Sequence, residues 1–148
     1  KGGNYLNNIM GLTEAKEAGA DDCVMLNRDG FVTEAANSNV WFLIRGRLVT
    51  PGSGNLKGLT KKHVHRALRA EGMQSFEEDV HVNELLDATE CFITSATREV
   101  MPVVSMILLG GERLEFPVGG GEVTRKTRTI FSNFVEKYIS EHANDALV

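Results

Sequence analysis

The apolar residues of the chain recur at two spacings, one typical of helices and one typical of strands. Positions three to four residues apart predict amphipathic helices over residues 6–18, 61–70 and about 122–142. Gly19 and Gly72 are suited to ending the first two, and residues 58–60 open the second. A further short helix is predicted around residues 82–86.

Short apolar runs bounded by turn residues predict the strands. These runs cover residues 23–26, 31–34, 40–44, 47–50, 90–94 and 101–109, the last turning at Gly110-Gly111 and continuing to Phe116. Asp29-Gly30 and Arg45-Gly46 each separate two of these runs, as in tight hairpins. The order of elements is mixed, with no internal repeat, which predicts an α/β fold.

Composition indicates one ordinary globular domain. The chain has 148 residues, 42% of them hydrophobic and 24% charged, which argues against a disordered or fibrous protein. A net charge of −4 argues against a general nucleic-acid binder, so we expect small molecules or proteins as partners. The longest apolar run, residues 103–109, is far shorter than the ~20 residues of a membrane span, and we expect no membrane segment.

The two cysteines, Cys23 and Cys91, lie in apolar surroundings without a CxxC motif or paired histidines. This pattern favours buried free thiols in a reducing compartment over a disulfide or a metal site. The first residues lack the apolar segment of a signal peptide. We therefore expect the cytoplasm, or an organelle after processing.

Four features carry candidate chemistry, and each has a plain structural alternative. Lys1 is either a nucleophile or a solvated lysine, and Glu34 is either a functional or a solvated carboxylate at a strand end. The Gly58-Leu59-Thr60 segment at a helix start suits a phosphate, although many helices begin with a capping hydroxyl. Ser95-Ala96-Thr97 is either a second hydroxyl-bearing site or an ordinary turn.

Two other features favour the structural interpretation. Gly119-Gly120-Gly121 lacks the GxxxxGK[ST] form of a phosphate loop and is predicted to be a plain loop. The helix over residues 61–70 is rich in basic residues but has no interleaved aromatic residues. We interpret its basic side chains, beginning with Lys61, as a solvated face.

In chain order, these features resemble one family. Five motifs recur in sequence: Lys1-x-x-Asn4-Tyr5-Leu6, Asp29-Gly30-x-Val32-Thr33-Glu34 followed by Asn39, Thr50-Pro51, Gly58-Leu59-Thr60, and Thr94-Ser95-x-Thr97-x-Glu99-x-x-Pro102-Val103. The chain resembles the class IV, or fold-type-IV, pyridoxal-phosphate enzymes, which include branched-chain and D-amino-acid aminotransferases and aminodeoxychorismate lyase. The resemblance implies a pseudo-barrel of mixed strands with surrounding helices and pyridoxal 5'-phosphate (PLP) at its mouth.

The resemblance assigns roles at the ring end of the cofactor. Lys1 matches the lysine that binds the cofactor aldehyde and later moves the substrate proton, which requires a pKa below the usual value of about 10.4. Tyr5 matches the tyrosine that hydrogen-bonds the phenolic oxygen. Glu34 matches the carboxylate that keeps the pyridine nitrogen protonated, which strengthens the electron sink. Leu48 lies where the family packs an aliphatic side chain on the ring.

The resemblance also assigns the phosphate and substrate contacts. Gly58, Leu59 and Thr60 match the phosphate-binding helix start, and Ser95, Ala96 and Thr97 match the turn that contacts the phosphate and the substrate carboxylate. Two positions depart from the common pattern. Ala96 replaces a frequent threonine. Arg98 replaces a small residue, so that a guanidinium is available for a carboxylate and a purely aliphatic substrate is less expected. Lys61 replaces a frequent arginine, which we interpret as structural variation.

The implied activity is transfer of an amino group between an amino acid, branched-chain by default, and a 2-oxo acid. A lyase that releases pyruvate from 4-amino-4-deoxychorismate is the main alternative, and a non-catalytic dimerisation or regulatory domain is the other. The resemblance further implies that residues 1–148 form the large, C-terminal domain, that the small N-terminal domain is not among them, and that the protein is a homodimer.

Overall fold

The computed structural model describes residues 2–55 and 58–143, with side chains described from residue 9 onward. The helices are α1 (Gly2–Glu17), α2 (Leu59–Ala70), α3 (Glu122–Glu141) and a short 3-10 helix (Val82–Asp87). The strands are β1 (Val24–Leu26), β2 (Val32–Ala35), β3 (Asn39–Ile44), β4 (Arg47–Thr50), β5 (Phe76–Glu77), β6 (Ala88–Ser95), β7 (Glu99–Pro102), β8 (Ser105–Ile107) and β9 (Arg113–Glu115). No helix in these described ranges is long and apolar enough to cross a bilayer.

A five-stranded sheet in the order β5-β4-β3-β6-β7 forms the centre of the fold. Its neighbours are antiparallel except for β4 and β5, which are parallel. Arg45 and Gly46, with φ of 50° and 78°, form the two-residue turn between β3 and β4, because this tight turn requires positive φ at both positions. Two separate hairpins, β1–β2 and β8–β9, accompany the sheet.

Alternating side chains of the sheet divide the core in two. On β3, Val40 and Phe42 belong to a cluster that the β1–β2 and β8–β9 hairpins complete. Trp41, between them, belongs to a second cluster with residues of α2 and α3. Strand geometry causes this division, because successive side chains point to opposite faces of a sheet. The result is a mixed α/β fold in which strands enclose one core and helices cover the other.

Glu90 on β6 fixes the start of α3. Its carboxylate accepts hydrogen bonds from the backbone N–H of Val123 (3.2 Å) and from the backbone N–H and hydroxyl of Thr124 (2.7 Å each). The side chain is 8% exposed. An anion at this end of a helix also interacts favourably with the helix dipole.

Most predicted elements are confirmed, with two differences. The strand predicted over residues 101–109 is wrong, because the chain changes hydrogen-bond partner after Val103. The N–H of Val103 still bonds to Cys91 on β6, whereas the carbonyl of Val104 accepts from Phe116 beside the β8–β9 hairpin. The second difference is β5, a two-residue strand that is absent from the predicted elements and is too short to produce an alternating pattern.

Candidate active site

Three of the predicted motifs meet at one end of strand β3. Asn39, the first residue of β3, lies directly opposite Thr94 of β6, so that the Ser95 turn follows immediately beside it. Gly58, which precedes α2, lies against the Asn39 side chain. The strand that carries Glu34 leads into β3 through a turn closed by a hydrogen bond from Ala35 N–H to the Ser38 carbonyl (2.8 Å). Segments far apart in the chain therefore lie together at one end of the central strand β3.

The start of α2 is a narrow cradle in which Gly58 lies close to the Asn39 side chain. A Cβ atom on Gly58 would lie 2.5 Å from Oδ1 of Asn39, although the backbone itself, with φ of −63°, is open to any residue. No described side chain caps this end of the helix. Thr60 is half-buried in the first turn and Leu59 is exposed. Backbone N–H groups, a hydroxyl and the positive end of the dipole together suit a phosphate.

The Ser95–Arg98 turn supplies further hydroxyl groups. The Ser95 hydroxyl accepts a hydrogen bond from the Arg98 N–H (3.1 Å) and lies 3.4 Å from the Thr97 hydroxyl. Ala96 and Thr97 are exposed. The turn is therefore folded on itself while its tip stays accessible to a ligand.

Asp22 joins this turn to the loop that follows Glu34. Its carboxylate accepts from the Arg98 guanidinium (2.7 Å) and from the backbone N–H of Ala36 (3.3 Å) and Cys23 (2.7 Å). Sequence reasoning missed Asp22, which lies in none of the motifs. Burial, followed by the Asp22 carboxylate, raises the pKa of the Cys23 thiol, so this cysteine is a poor nucleophile.

Lys61 is a second residue whose environment differs from the prediction. The interpretation of its side chain as part of a solvated basic face is wrong, because it is only 3% exposed. Its ammonium group donates to the Pro51 carbonyl (2.8 Å) and to Oδ1 of Asn55 (3.1 Å), and it pairs with Glu77 (2.9 Å). The other basic residues of α2 are half-buried or exposed.

The remaining predicted residues stand as follows. Lys1 lies outside the described residues, and Tyr5 lies in α1, where the structure describes its backbone only. Glu34 is half-buried on β2. Leu48 is 4% exposed in the helix-facing core with Val64 and Leu68. That enclosure argues against the predicted contact of Leu48 with a cofactor ring, because α2 already covers the side chain.

Comparison with known proteins identifies relatives for most of the chain. A family model described as amino-transferase class IV matches residues 1–106. The branched-chain amino acid aminotransferase 2 of hop, Humulus lupulus, is 33% identical over 148 residues, which cover 96% of this chain and 36% of that protein.

Solved structures agree on the fold. An aminotransferase from Brucella abortus bound to PLP superposes with a TM-score of 0.78 at 27% identity, over 88% of this chain and 45% of that one. The branched-chain amino acid aminotransferase of Escherichia coli gives a TM-score of 0.78 at 27% identity, over 89% of this chain and 43% of that one. The chain thus spans about half the length, or less, of the proteins it matches.

Proposed function

The chain belongs to the class IV amino-transferase family, and from this premise we propose that the protein containing it is a PLP-dependent aminotransferase. It would transfer an amino group between an amino acid and a 2-oxo acid. The observation that carries the proposal is the meeting of the Gly58 cradle, the Ser95 turn and the loop after Glu34 at one end of β3.

The residues at this end of the sheet fit the cofactor. Gly58 lies against Asn39 at this end of β3, so the backbone N–H groups of the first turn of α2 would be available there to a phosphate. Hydroxyl groups of Thr60, Ser95 and Thr97 supply additional donors for a dianion. Glu34 would supply an anion for a protonated ring nitrogen, and its strand β2 leads by a short turn to the same end of β3.

When bound, PLP supplies an electron sink that stabilises negative charge at the substrate Cα. Glu34 would hold the proton on the ring nitrogen. Lys1 would bind the cofactor aldehyde through Nζ and, after substrate binds, move the proton to and from the substrate Cα. Tyr5 would orient the phenolic oxygen. The Ser95–Thr97 turn would bind the substrate carboxylate.

The substrate pair is proposed from two sources. Names of relatives favour a branched-chain amino acid as one substrate. Arg98 adds a guanidinium beside the turn, with one edge paired to Asp22, and it would accommodate a second carboxylate such as that of 2-oxoglutarate. We therefore propose branched-chain amino acids with a dicarboxylic 2-oxo acid as acceptor.

We also propose that residues 1–148 act as the large domain of a longer protein, that a small domain of the same protein completes the pocket, and that the protein is a cytoplasmic homodimer. The lengths of the relatives support the first part. Free thiols at Cys23 and Cys91 are consistent with a reducing compartment.

The test uses the full-length protein loaded with PLP. A visible absorbance band that borohydride bleaches is expected in the wild type and in a Lys62→Met control, but not in Lys1→Ala. Incubation with leucine and 2-oxoglutarate should yield glutamate. Release of pyruvate from 4-amino-4-deoxychorismate would instead identify the lyase. A protein that takes up no PLP would contradict the proposal and favour a non-catalytic domain.

A further inference from the structure

The most buried charged side chain near the proposed site is that of Lys61, directly after Thr60. A buried ammonium is unfavourable unless it is paired and hydrogen-bonded. Here its ammonium donors have described partners within 3.1 Å, in Pro51, Asn55 and Glu77. With those donors occupied, Lys61 is oriented toward the preceding loop.

The partners show what Lys61 holds together. Pro51 and Asn55 lie at the two ends of one loop, residues 51–55, and Glu77 lies on β5. Asn55 also donates to the Pro51 carbonyl (2.9 Å), so that the two ends of the loop are joined both directly and through Lys61. The loop is thereby fixed to the first turn of α2.

The same loop also contacts the strand that carries Glu34. A Cβ atom on Gly54 would lie 2.8 Å from Cγ2 of Thr33, the residue before Glu34. The loop therefore contacts both β2, the strand that carries Glu34, and the first turn of α2, through Lys61. Lys61 connects the helix start to that loop.

We propose that Lys61 is a positioning residue for phosphate binding: it does not contact the phosphate, and it holds the first turn of α2 at a fixed place relative to Glu34. The inference rests on the proposed function. It predicts that loss of Lys61 weakens the contribution of the phosphate to cofactor binding more than the contribution of the ring.

The experiment compares two ligands that differ only in the phosphate. Full-length apoprotein is titrated with PLP and with pyridoxal, and binding is followed by absorbance. Lys61→Met should raise the Kd for PLP roughly tenfold to a hundredfold, as expected for displaced hydrogen bonds to a charged group, and change the Kd for pyridoxal by less than about threefold. Lys61→Arg keeps the positive charge beside Glu77 and should raise the Kd for PLP less than Lys61→Met does.

Lys62→Met is the matched control, since Lys62 is the exposed neighbour on the same helix, and it should bind both ligands like the wild type. Equal weakening of PLP and pyridoxal by Lys61→Met, or no weakening, would overturn the inference. If Lys61→Met does not fold, Asn55→Ala removes one of the loop partners of Lys61 and should still reduce the preference for PLP over pyridoxal. An unchanged preference in that variant would overturn the inference. A wild type that binds neither ligand would contradict the proposed function instead.

Discussion

Gly58→Ala tests the cradle at the start of α2 with one methyl group. Alanine tolerates a φ of −63°, so the substitution introduces no backbone strain. The new Cβ would, however, lie 2.5 Å from Oδ1 of Asn39, about 1 Å closer than ordinary contact. Asn39 is 7% exposed at the start of a central strand and has little room to move. Because Asn39 is buried, we expect the first turn of α2 to shift.

The size of the effect follows from that shift. Forcing one methyl group into a packed site typically costs about 1–3 kcal/mol in the free energy of unfolding. A shift of about 1 Å in the helix start would also lengthen the proposed N–H contacts to phosphate. Because hydrogen bonds to charged groups contribute about 1.5–3 kcal/mol, the affinity for PLP should fall at least about tenfold.

Gly72→Ala is the control at the other end of the same helix. Gly72 has a φ of 79°, and a Cβ atom placed on it would have no neighbouring atom within 4 Å, so alanine there is strained but not crowded. We expect it to reduce stability by about 1 kcal/mol and to leave the affinity for PLP unchanged. Urea unfolding and PLP titration of the full-length protein measure both quantities. Equal PLP affinity in the two glycine variants would refute the steric reasoning.

Three further predictions concern substrate, stability and pH. Arg98→Met should raise the KM for a dicarboxylic 2-oxo acid about tenfold or more and leave the KM for a branched-chain 2-oxo acid unchanged. An equal rise in both KM values would contradict a role of Arg98 in specificity. Glu90→Gln should lower the free energy of unfolding, measured in urea, by about 2 kcal/mol, because the Glu90 carboxylate is buried and accepts from N–H groups at the start of α3. Glu122 is exposed, so Glu122→Gln should lower it by less than about 0.5 kcal/mol. Similar losses in the two variants would be evidence against the cap. Burial, followed by two neighbouring basic side chains, lowers the pKa of His63. The unfolded chain then binds a proton that the folded chain does not, so stability should decline as the pH falls below about 6.5. Between pH 7 and 5, His63→Gln should therefore lose less in its thermal unfolding temperature than the wild type. An unchanged pH profile would argue against this origin.

Local patterns predict the elements whose formation depends on nearby residues. The Arg45-Gly46 turn and the three helices follow from spacing and turn chemistry. The extended segment 101–109 has the pattern of one strand because periodicity reports on side chains and contains no information about hydrogen-bond partners. Only the tertiary structure shows that the chain leaves β6 after Val103 and that Val104 pairs with Phe116 instead.

The candidate site divides in the same way. The motifs at Glu34, Gly58 and Ser95 could be recognised because their order and spacing resemble a family. Asp22 could not, because its partner Arg98 is distant in sequence and the carboxylate lies in an unremarkable segment. The burial of Lys61 cannot be predicted for a related reason: a lysine on a basic helix is usually solvated, and the burial of this one depends on the loop that covers it.

The proposed phosphate site and the hydrophobic core therefore depend on the same helix. One face of α2 contributes Val64 and Leu68 to the core, while its first turn is held by Asn39 and by the partners of Lys61. A substitution that loosens the core of α2 would move the N–H groups at its start, even at a distance from any ligand. Conversely, the close contact between Gly58 and Asn39 can fix the start of α2 only because the core packing of Val64 and Leu68 keeps the helix from moving away. Stability and the geometry of the proposed phosphate site thus depend on the same packing of α2.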